Sequence, residues 1–181
     1  GFRAKSLTQA RKNFSYIARS LCSDLVNYQW FHAQTSQVRN RMSALLSHGR
    51  AGAWGILDNH CNVIPPTSPA LVTVFEELDS LLETNAEKGL ALGKAFERLT
   101  APPYGANDYS AALLLAAYLA SRKASTRLSV DGERNRLDTW AEKAFPDRGV
   151  DLKVLKATTI HQVDLEGTRN AVLELCRAIE T

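Results

Sequence analysis

The sequence predicts a mainly α-helical bundle that carries a small β element. Three observations lead to this fold class: a run of ten apolar residues at 111–120, heptad-like spacing of apolar residues near the N-terminus, and one alternating segment that ends in Asp131-Gly132. The apolar run is rich in Leu and Ala, which favours helix over strand. It is too short to span a bilayer, and a helix that is apolar all round must be covered by protein. We therefore expect residues 111–120 to form the central helix of the core.

A rigid turn precedes this central helix. Pro102 and Pro103 end the helix before it, and Gly105 permits a tight turn. Three residues can cap the new helix: Asn107, Asp108 and Ser110. This order of helix, turn and buried helix suits a helix-turn-helix and equally any small helical bundle. We expect these core residues to lie together: Phe75, Leu78, Phe96, Leu99, Leu114, Leu115 and Tyr118.

Composition indicates a globular protein in a reducing compartment, which we expect to be the cytoplasm. The chain has 181 residues, of which 45% are hydrophobic and 23% charged. Cys22, Cys61 and Cys176 are odd in number and widely spaced, which favours free thiols over disulfides. The sequence contains no signal peptide or transmembrane segment. Because it starts Gly1-Phe2-Arg3, we expect a piece of a longer protein.

Basic residues are concentrated in the first fifty residues. Residues 1–50 contain eight basic residues and one acid, a net charge of +7, whereas the rest of the chain carries −4. Such asymmetry indicates that this segment meets something acidic, either nucleic acid or another part of its own protein. The heptad pattern predicts one long helix or two nearly continuous helices from Ser6 to His48. Tyr28, Trp30 and Phe31 are expected to pack on the later helices.

Lys5, Lys12 and Arg19 recur every seven residues, opposite the apolar stripe of the first helix. They form either a solvated helix face or a basic ridge that contacts phosphates. A helix predicted after Ser68 carries an acidic face that would neutralise the ridge if the two helices packed together. Its members are Glu76, Glu77, Asp79 and Glu83.

The chain is expected to divide into residues 1–50, a long basic helix or helical hairpin; 51–67, a connector loop; and 68–181, a helical, winged-helix-like domain. In the last part, helices are predicted from Asn85 to Leu99 and from Leu137 to Phe145, and strands at 126–130 and 150–158. A final helix is predicted from Asp164 to Ile179. Helices followed by a small two-stranded element are what a winged helix contains.

Three segments carry a resemblance to a known family: Leu99-Thr100-Ala101-Pro102-Pro103-Tyr104-Gly105, Ala112-Leu113-Leu114-Leu115-Ala116-Ala117 and Leu128-Ser129-Val130-Asp131-Gly132. Together they resemble a segment of the very large P-loop ATPases of bacterial phage-defence (BREX-type) systems. In those proteins, similar segments are small helical or winged-helix-like modules outside the nucleotide site. The resemblance implies membership of a large DNA-associated antiviral machine, and it assigns no ATP-binding residue to this chain.

No motif for catalysis, metal binding or cofactor binding is present. His32, His48, His60 and His161 are scattered, and the sequence lacks Gly-x-Ser-x-Gly and His-Glu-x-x-His. Asp58, His60 and Cys61 have no second ligand pair at the spacing that zinc requires. The segment 89–95 is one residue short of a phosphate-binding loop, ends in Ala where Ser or Thr is needed, and is predicted to be helical. We therefore expect no enzyme, metal or cofactor.

Two non-catalytic functions remain. The first is a scaffold or interaction module whose long heptad-like helix would pack against other subunits or other domains of the parent protein. The second is sequence-independent binding of double-stranded DNA through phosphate contacts. The candidate phosphate-binding residues are Lys5, Lys12, Arg19, Arg122, Lys123, Arg127 and Arg134. The two functions differ in whether Lys5, Lys12 and Arg19 stay exposed or are neutralised by the acidic helix.

Overall fold

A computed structural model describes residues 7–147, 149–163 and 169. In this part the protein is mainly helical, with a small four-stranded antiparallel sheet, which confirms the predicted class at that level. The helices are α1 (Leu7–Cys22), α2 (Tyr28–Ala33), α3 (Ser36–Leu46), α4 (Pro69–Thr84), α5 (Leu92–Thr100), α6 (Asp108–Ser121), α7 (Leu137–Ala144) and α8 (Leu152–Ala157). The strands are β1 (Leu90–Ala91), β2 (Thr126–Val130), β3 (Glu133–Asn135) and β4 (Thr158–Gln162).

Helix α6 is the centre of the core, as its apolar run predicts. Its N-cap is Asn107, whose side-chain oxygen accepts a hydrogen bond from the backbone N–H of Ser110 at 2.9 Å. Every residue from 111 to 120 is buried except Leu114, which is half-buried. Helices α1, α5 and α7 pack around it, and Phe75 of α4 meets Tyr118 edge to face at 5.3 Å. The cover that an apolar helix requires therefore comes from four other helices.

The N-terminal segment differs from its prediction. Instead of one long helix or two nearly continuous ones, residues 7–46 form three helices separated by short breaks. Asn27 begins α2 by accepting from the N–H of Trp30 at 2.9 Å, and Thr35 begins α3 by accepting from the N–H of Val38 at 3.4 Å. Short polar side chains of this kind compete for backbone hydrogen bonds and start new helices without any Gly or Pro.

The sheet has the strand order β1-β4-β2-β3. The predicted strand 126–130 and the Asp131-Gly132 turn are confirmed, but the predicted strand 150–158 is wrong. The side chain of Asp151 accepts from the N–H groups of Lys153 and Val154, which caps α8 and turns an alternating sequence into a helix. The strand that pairs with β2 follows at β4, where Ile160 lies opposite Leu128.

The helix predicted from Asn85 begins only at Leu92, because β1 precedes it and pairs with β4. The segment 89–95 therefore lies across a turn, a strand and the first turn of α5, rather than inside a helix as predicted. The connector contains two isolated bridges, which join Leu57 to Ser47 and to Val63. The helix predicted from Asp164 to Ile179 lies outside the described residues. Among the helices that are described, none has the length and apolar character needed to cross a membrane.

Replacing Leu115 tests the central position of α6. Leu115 is fully buried, so we expect Leu115→Ala to lower the free energy of unfolding by about 2–5 kcal/mol. Leu114→Ala, one residue earlier on the same helix, is the matched control and should cost less because Leu114 is half-buried. Urea denaturation measures both values, and equal midpoints for the two variants would contradict the central position of α6.

Candidate interaction surfaces

The predicted basic ridge on α1 is divided in the structure. Lys5 lies outside the described residues, and Lys12 is exposed. Arg19 forms an ion pair with Asp147 at 3.2 Å and donates to the backbone carbonyl of Phe145 at 3.0 Å. Arg19 therefore links α1 to the end of α7, and its guanidinium is only partly available to a ligand.

Arg122 is also part of the fold. Its guanidinium binds Asp79 of α4 through two hydrogen bonds, at 2.7 and 3.2 Å, and the hydroxyl of Tyr118 donates to the same carboxylate at 2.7 Å. Burial, reinforced by the bond to Asp79, raises the pKa of Tyr118, so the phenol stays protonated. A bidentate pair of this kind ties α4 to the C-terminal end of α6.

A second carboxylate of α4 is bound in the same way. Glu77 accepts hydrogen bonds from the Tyr104 hydroxyl and from Arg98 of α5, and the guanidinium of Arg98 lies 5.6 Å from the centre of the Tyr104 ring. The hydrogen bond from Tyr104 is the larger cause of a lowered pKa of Glu77, and the hydrogen bond from Arg98 lowers this pKa further. Each of these two acids thus has a tyrosine and an arginine as partners.

The acidic face of α4 therefore does not neutralise Arg19. Glu77 and Asp79 bind arginines of α5 and of the α6 C-terminus, while the carboxylate partner of Arg19 is Asp147. We expected the cations of α1 to be either all exposed or all neutralised by acids. In the structure Lys12 is exposed, whereas Arg19 is neutralised by Asp147, which lies outside α4.

The last three of the predicted phosphate-binding residues come together around one cavity of about 470 Å³. They are Lys123, Arg127 and Arg134. This cavity lies between the end of α1 and the β2–β3 hairpin, and its cationic lining residues are Lys123, Arg127, Arg134 and Arg136. Two carboxylates also line it: Asp24, which forms an ion pair with Lys123, and Asp138, which pairs with Arg136 at 2.9 Å.

Arg127 and Arg134 are exposed and form no ion pair with any carboxylate of the described chain. Among the four cations that line the cavity, these two have no acidic partner in the described chain.

The sequence analysis did not include Arg136 among the candidate residues. Its spacing from Asp138, two residues later in the first turn of α7, could have indicated the ion pair between them. The guanidinium of Arg136 lowers the pKa of Asp138 to about 2.

A different surface is formed by α2 and the turn before it. No residue of α2 is buried, and Leu25 and Tyr28 are the large hydrophobic side chains with the highest exposure in the described chain, at 61% and 54%. The Tyr28 ring lies 4.2 Å from that of His32, and Trp30 stacks on Tyr16 at 5.9 Å. The prediction that Tyr28 packs on later helices is therefore wrong, whereas Trp30 and Phe31 are half-buried against the core.

Groups suited to catalysis or metal binding are sparse. Ser129 Oγ and His161 Nε2 lie 3.2 Å apart across β2 and β4, and no carboxylate of the described residues is seen in hydrogen-bond contact with that ring. Asp58 instead organises its own loop, accepting from the backbone N–H groups of His60 and Asn62 at 2.8 Å each. In the part of the chain that the structure describes, no three His, Cys, Asp or Glu residues cluster as a metal site would need.

Comparison with protein-family models, curated proteins and solved structures finds no match to this chain.

Glu77 provides a test of the contact between α4 and α5, in which its carboxylate accepts hydrogen bonds from Arg98 and Tyr104. Because its pKa is lowered from the ordinary value of 4.5, the stability it contributes is present above that pH and is lost as the pH falls through the lowered value. We expect Glu77→Gln to cost about 1 kcal/mol at pH 7 and progressively less below pH ~4.5.

The matched control is Glu76→Gln, which removes an exposed carboxylate from the neighbouring position of the same helix. It should leave the free energy of unfolding nearly unchanged across this range. Urea denaturation from pH 7 to pH 3 provides the measurement. A cost for Glu77→Gln that does not vary with pH would refute the role of the ionised carboxylate.

Proposed function

We propose that this chain is a non-catalytic interaction module that docks on a protein partner through α2 and the preceding turn. One observation carries the proposal: α2 consists largely of ring side chains, yet none of its residues is buried within the domain. Tyr and Trp are enriched among the residues that dominate binding energy at protein interfaces. Covering Leu25 and Tyr28 with a partner would remove their apolar surface from water, which favours association.

The charge around α2 indicates what kind of partner fits. Arg39 is a cation that lies beside α2, where its guanidinium donates to the carbonyl oxygen of His32 at 2.8 Å, and Asp24, in the turn before α2, is held in an ion pair with Lys123. A complementary surface would combine an apolar centre with an acidic rim, since matched charges raise the association rate and exclude wrong partners. The partner that we propose is another domain of the parent protein or another subunit.

Helix α1 is not the docking element that its heptad pattern led us to expect. Ile17, Ala18, Leu21 and Cys22 are buried inside the domain, so its apolar stripe is already in use. The scaffold function is accordingly assigned to α2, where Tyr28 is exposed while Trp30 and Phe31 are half-buried against the core.

We further propose that the C-terminal half is winged-helix-like. The order of α5, turn, α6 and the β2–β3 hairpin supports this. It departs from a DNA-reading arrangement because α6, the helix that would enter a groove, is buried in the core, and because β4 lies between β1 and β2. Together with the resemblance to BREX-type ATPases, this favours a protein-contacting module within a larger phage-defence machine.

Hydrogen exchange tests the docking surface. We expect the amides of α2 to exchange at least tenfold more slowly in the parent protein than in the isolated 181-residue chain, since docking would exclude water. Leu25→Ser combined with Tyr28→Ser should restore fast exchange in the parent, whereas the control Gln29→Ser on the same helix should not. Equal exchange rates in the parent and the isolated chain would exclude α2 as the docking element.

A second candidate function is sequence-independent binding of double-stranded DNA. Arg127 and Arg134 support it, because they are exposed on adjacent strands without an acidic partner in the described chain. Lys12 adds an exposed cation on α1. Arg19, Arg122 and Lys123 support it less, since each already holds a carboxylate.

This second function has its own test. We expect weak binding to any duplex sequence that falls steeply with salt, and the double variant Arg127→Glu, Arg134→Glu should weaken it at least tenfold at low salt. The salt slope should fall by about 2, because each of the two arginines would neutralise one phosphate of the duplex.

The control variant Lys94→Glu, Lys153→Glu makes the same change of charge at two exposed positions elsewhere on the domain. Fluorescence anisotropy over a salt series measures all three proteins. An equal loss in the control, or no binding of the unmodified chain at low salt, would exclude this function.

A further inference from the structure

The outward face of the sheet brings together polar side chains from three strands. Leu128 of β2 and Ile160 of β4 lie opposite each other and are both buried. Because successive side chains of a strand point to opposite faces, Arg127, Ser129 and His161 lie on the other face. Arg134 of β3 lies opposite Ser129 and therefore shares that face.

The pairing register places these four side chains next to one another. Arg127 lies opposite His161, and Ser129 lies opposite Arg134. Ser129 Oγ and His161 Nε2 are 3.2 Å apart, which links the two pairs across a diagonal. Side chains directly opposite on one face have Cβ atoms about 4.5–5.5 Å apart, and diagonal neighbours about 7–8 Å. Arg127 is thus a neighbour of both Ser129 and His161 on this face, and Arg134 is a neighbour of Ser129.

The strands contribute no negative charge to this face. Its remaining strand residues are Thr159 of β4 and Ala91 of β1, given that Leu90 lies opposite the buried Ile160. Neither Arg127 nor Arg134 forms an ion pair within the described residues. Like charges on neighbouring strand positions destabilise a sheet. An anion held between the two guanidinium groups would reverse that repulsion.

Gly89 fixes the position of the imidazole. Its φ is +79°, and a Cβ at this position would lie 2.7 Å from His161 Nδ1 and 2.6 Å from Thr159 Cγ2. Only glycine combines this backbone conformation with such a close approach. The ring of His161 therefore rests against the backbone of residue 89, with Nε2 directed to Ser129.

We propose that this face binds a phosphate group, with the guanidinium groups of Arg127 and Arg134 as its charged donors and the Ser129–His161 pair as its further polar contact. Guanidinium forks match the oxygens of phosphate with two parallel hydrogen bonds, and the Ser129 hydroxyl donates one more in the His161 tautomer whose Nε2–H donates to Ser129 Oγ. The inference goes beyond the second candidate function, because its ligand is a discrete phosphate monoester or free phosphate and no duplex is required.

Titration with inorganic phosphate, followed by ¹H–¹⁵N NMR spectra of the full chain at constant ionic strength, tests the site. We expect saturable shifts concentrated on the amides of residues 127–129, 134 and 159–161. Arg127→Gln and Arg134→Gln should each weaken the binding at least tenfold, and Ser129→Ala should weaken it less. Lys94→Gln, which removes an exposed charge elsewhere, is the control and should leave the binding unchanged.

A second arm distinguishes the source of the phosphate. A short single-stranded oligonucleotide with a 5′-phosphate should shift the same amides, and its 5′-hydroxyl twin should not. Binding of inorganic phosphate alone would assign the site to a free anion. The absence of saturable shifts with any phosphate probe would overturn the proposal, as would an equal loss of binding in Lys94→Gln.

The outcome for duplex DNA is separate. Phosphate binding without duplex affinity would exclude the second candidate function and leave this site standing. Duplex affinity without saturable phosphate shifts would exclude the phosphate site and leave the second candidate function standing.

Discussion

Burial of residues 111–120 of α6, of which Leu114 is half-buried and the others are buried, is the constraint on which the remaining structure depends. A helix that is apolar on every side leaves no free face, so other elements must surround it. Helices α1, α5 and α7 pack against it, and Phe75 brings α4 to Tyr118. This requirement uses the apolar stripe of α1, including Ile17 and Leu21, within the domain. It also removes α6 from any contact with a nucleic-acid groove, although α6 occupies the place in the chain order where such a helix would lie.

Surrounding an apolar helix brings charged residues of different elements together, and five ion pairs form within the described residues. Glu77 and Asp79 of α4 each accept from one tyrosine and one arginine, in both cases with the arginine near the tyrosine ring. Hydrogen bonds to charged groups are among the stronger polar contributions to stability. The excess of basic residues near the N-terminus is therefore a poor guide to a ligand, because pairing with distant acids such as Asp147 decides which cations remain accessible.

Features that depend on local chemistry could be predicted from the sequence, and features that depend on distant partners could not. The central helix, its Asn107 cap, strand β2 and its Asp131-Gly132 turn follow from spacing and turn propensity, and the structure confirms them. The division of residues 7–46 into three helices depends on the side chains of Asn27 and Thr35, which compete with backbone bonding without the stronger signal of Gly or Pro. Strand β4 required a partner, β2, which lies about thirty residues earlier in the chain.

The difference between local chemistry and distant partners also explains why two candidate surfaces remain once the ion pairs and the packing of the described residues are taken into account. On α2, short helix length leaves Tyr28 and its neighbours at the edge of a core already filled by α6 and its cover. On the hairpin, alternation directs Leu128 inward and Arg127 to the opposite face, which it shares with Arg134, and neither arginine forms an ion pair with a carboxylate of the described residues. Neither surface follows from composition. Both follow from what the burial of α6 leaves without a partner inside the described domain, and the ligands that we propose for them differ: an apolar surface with an acidic rim for α2, and a phosphate group for the sheet face.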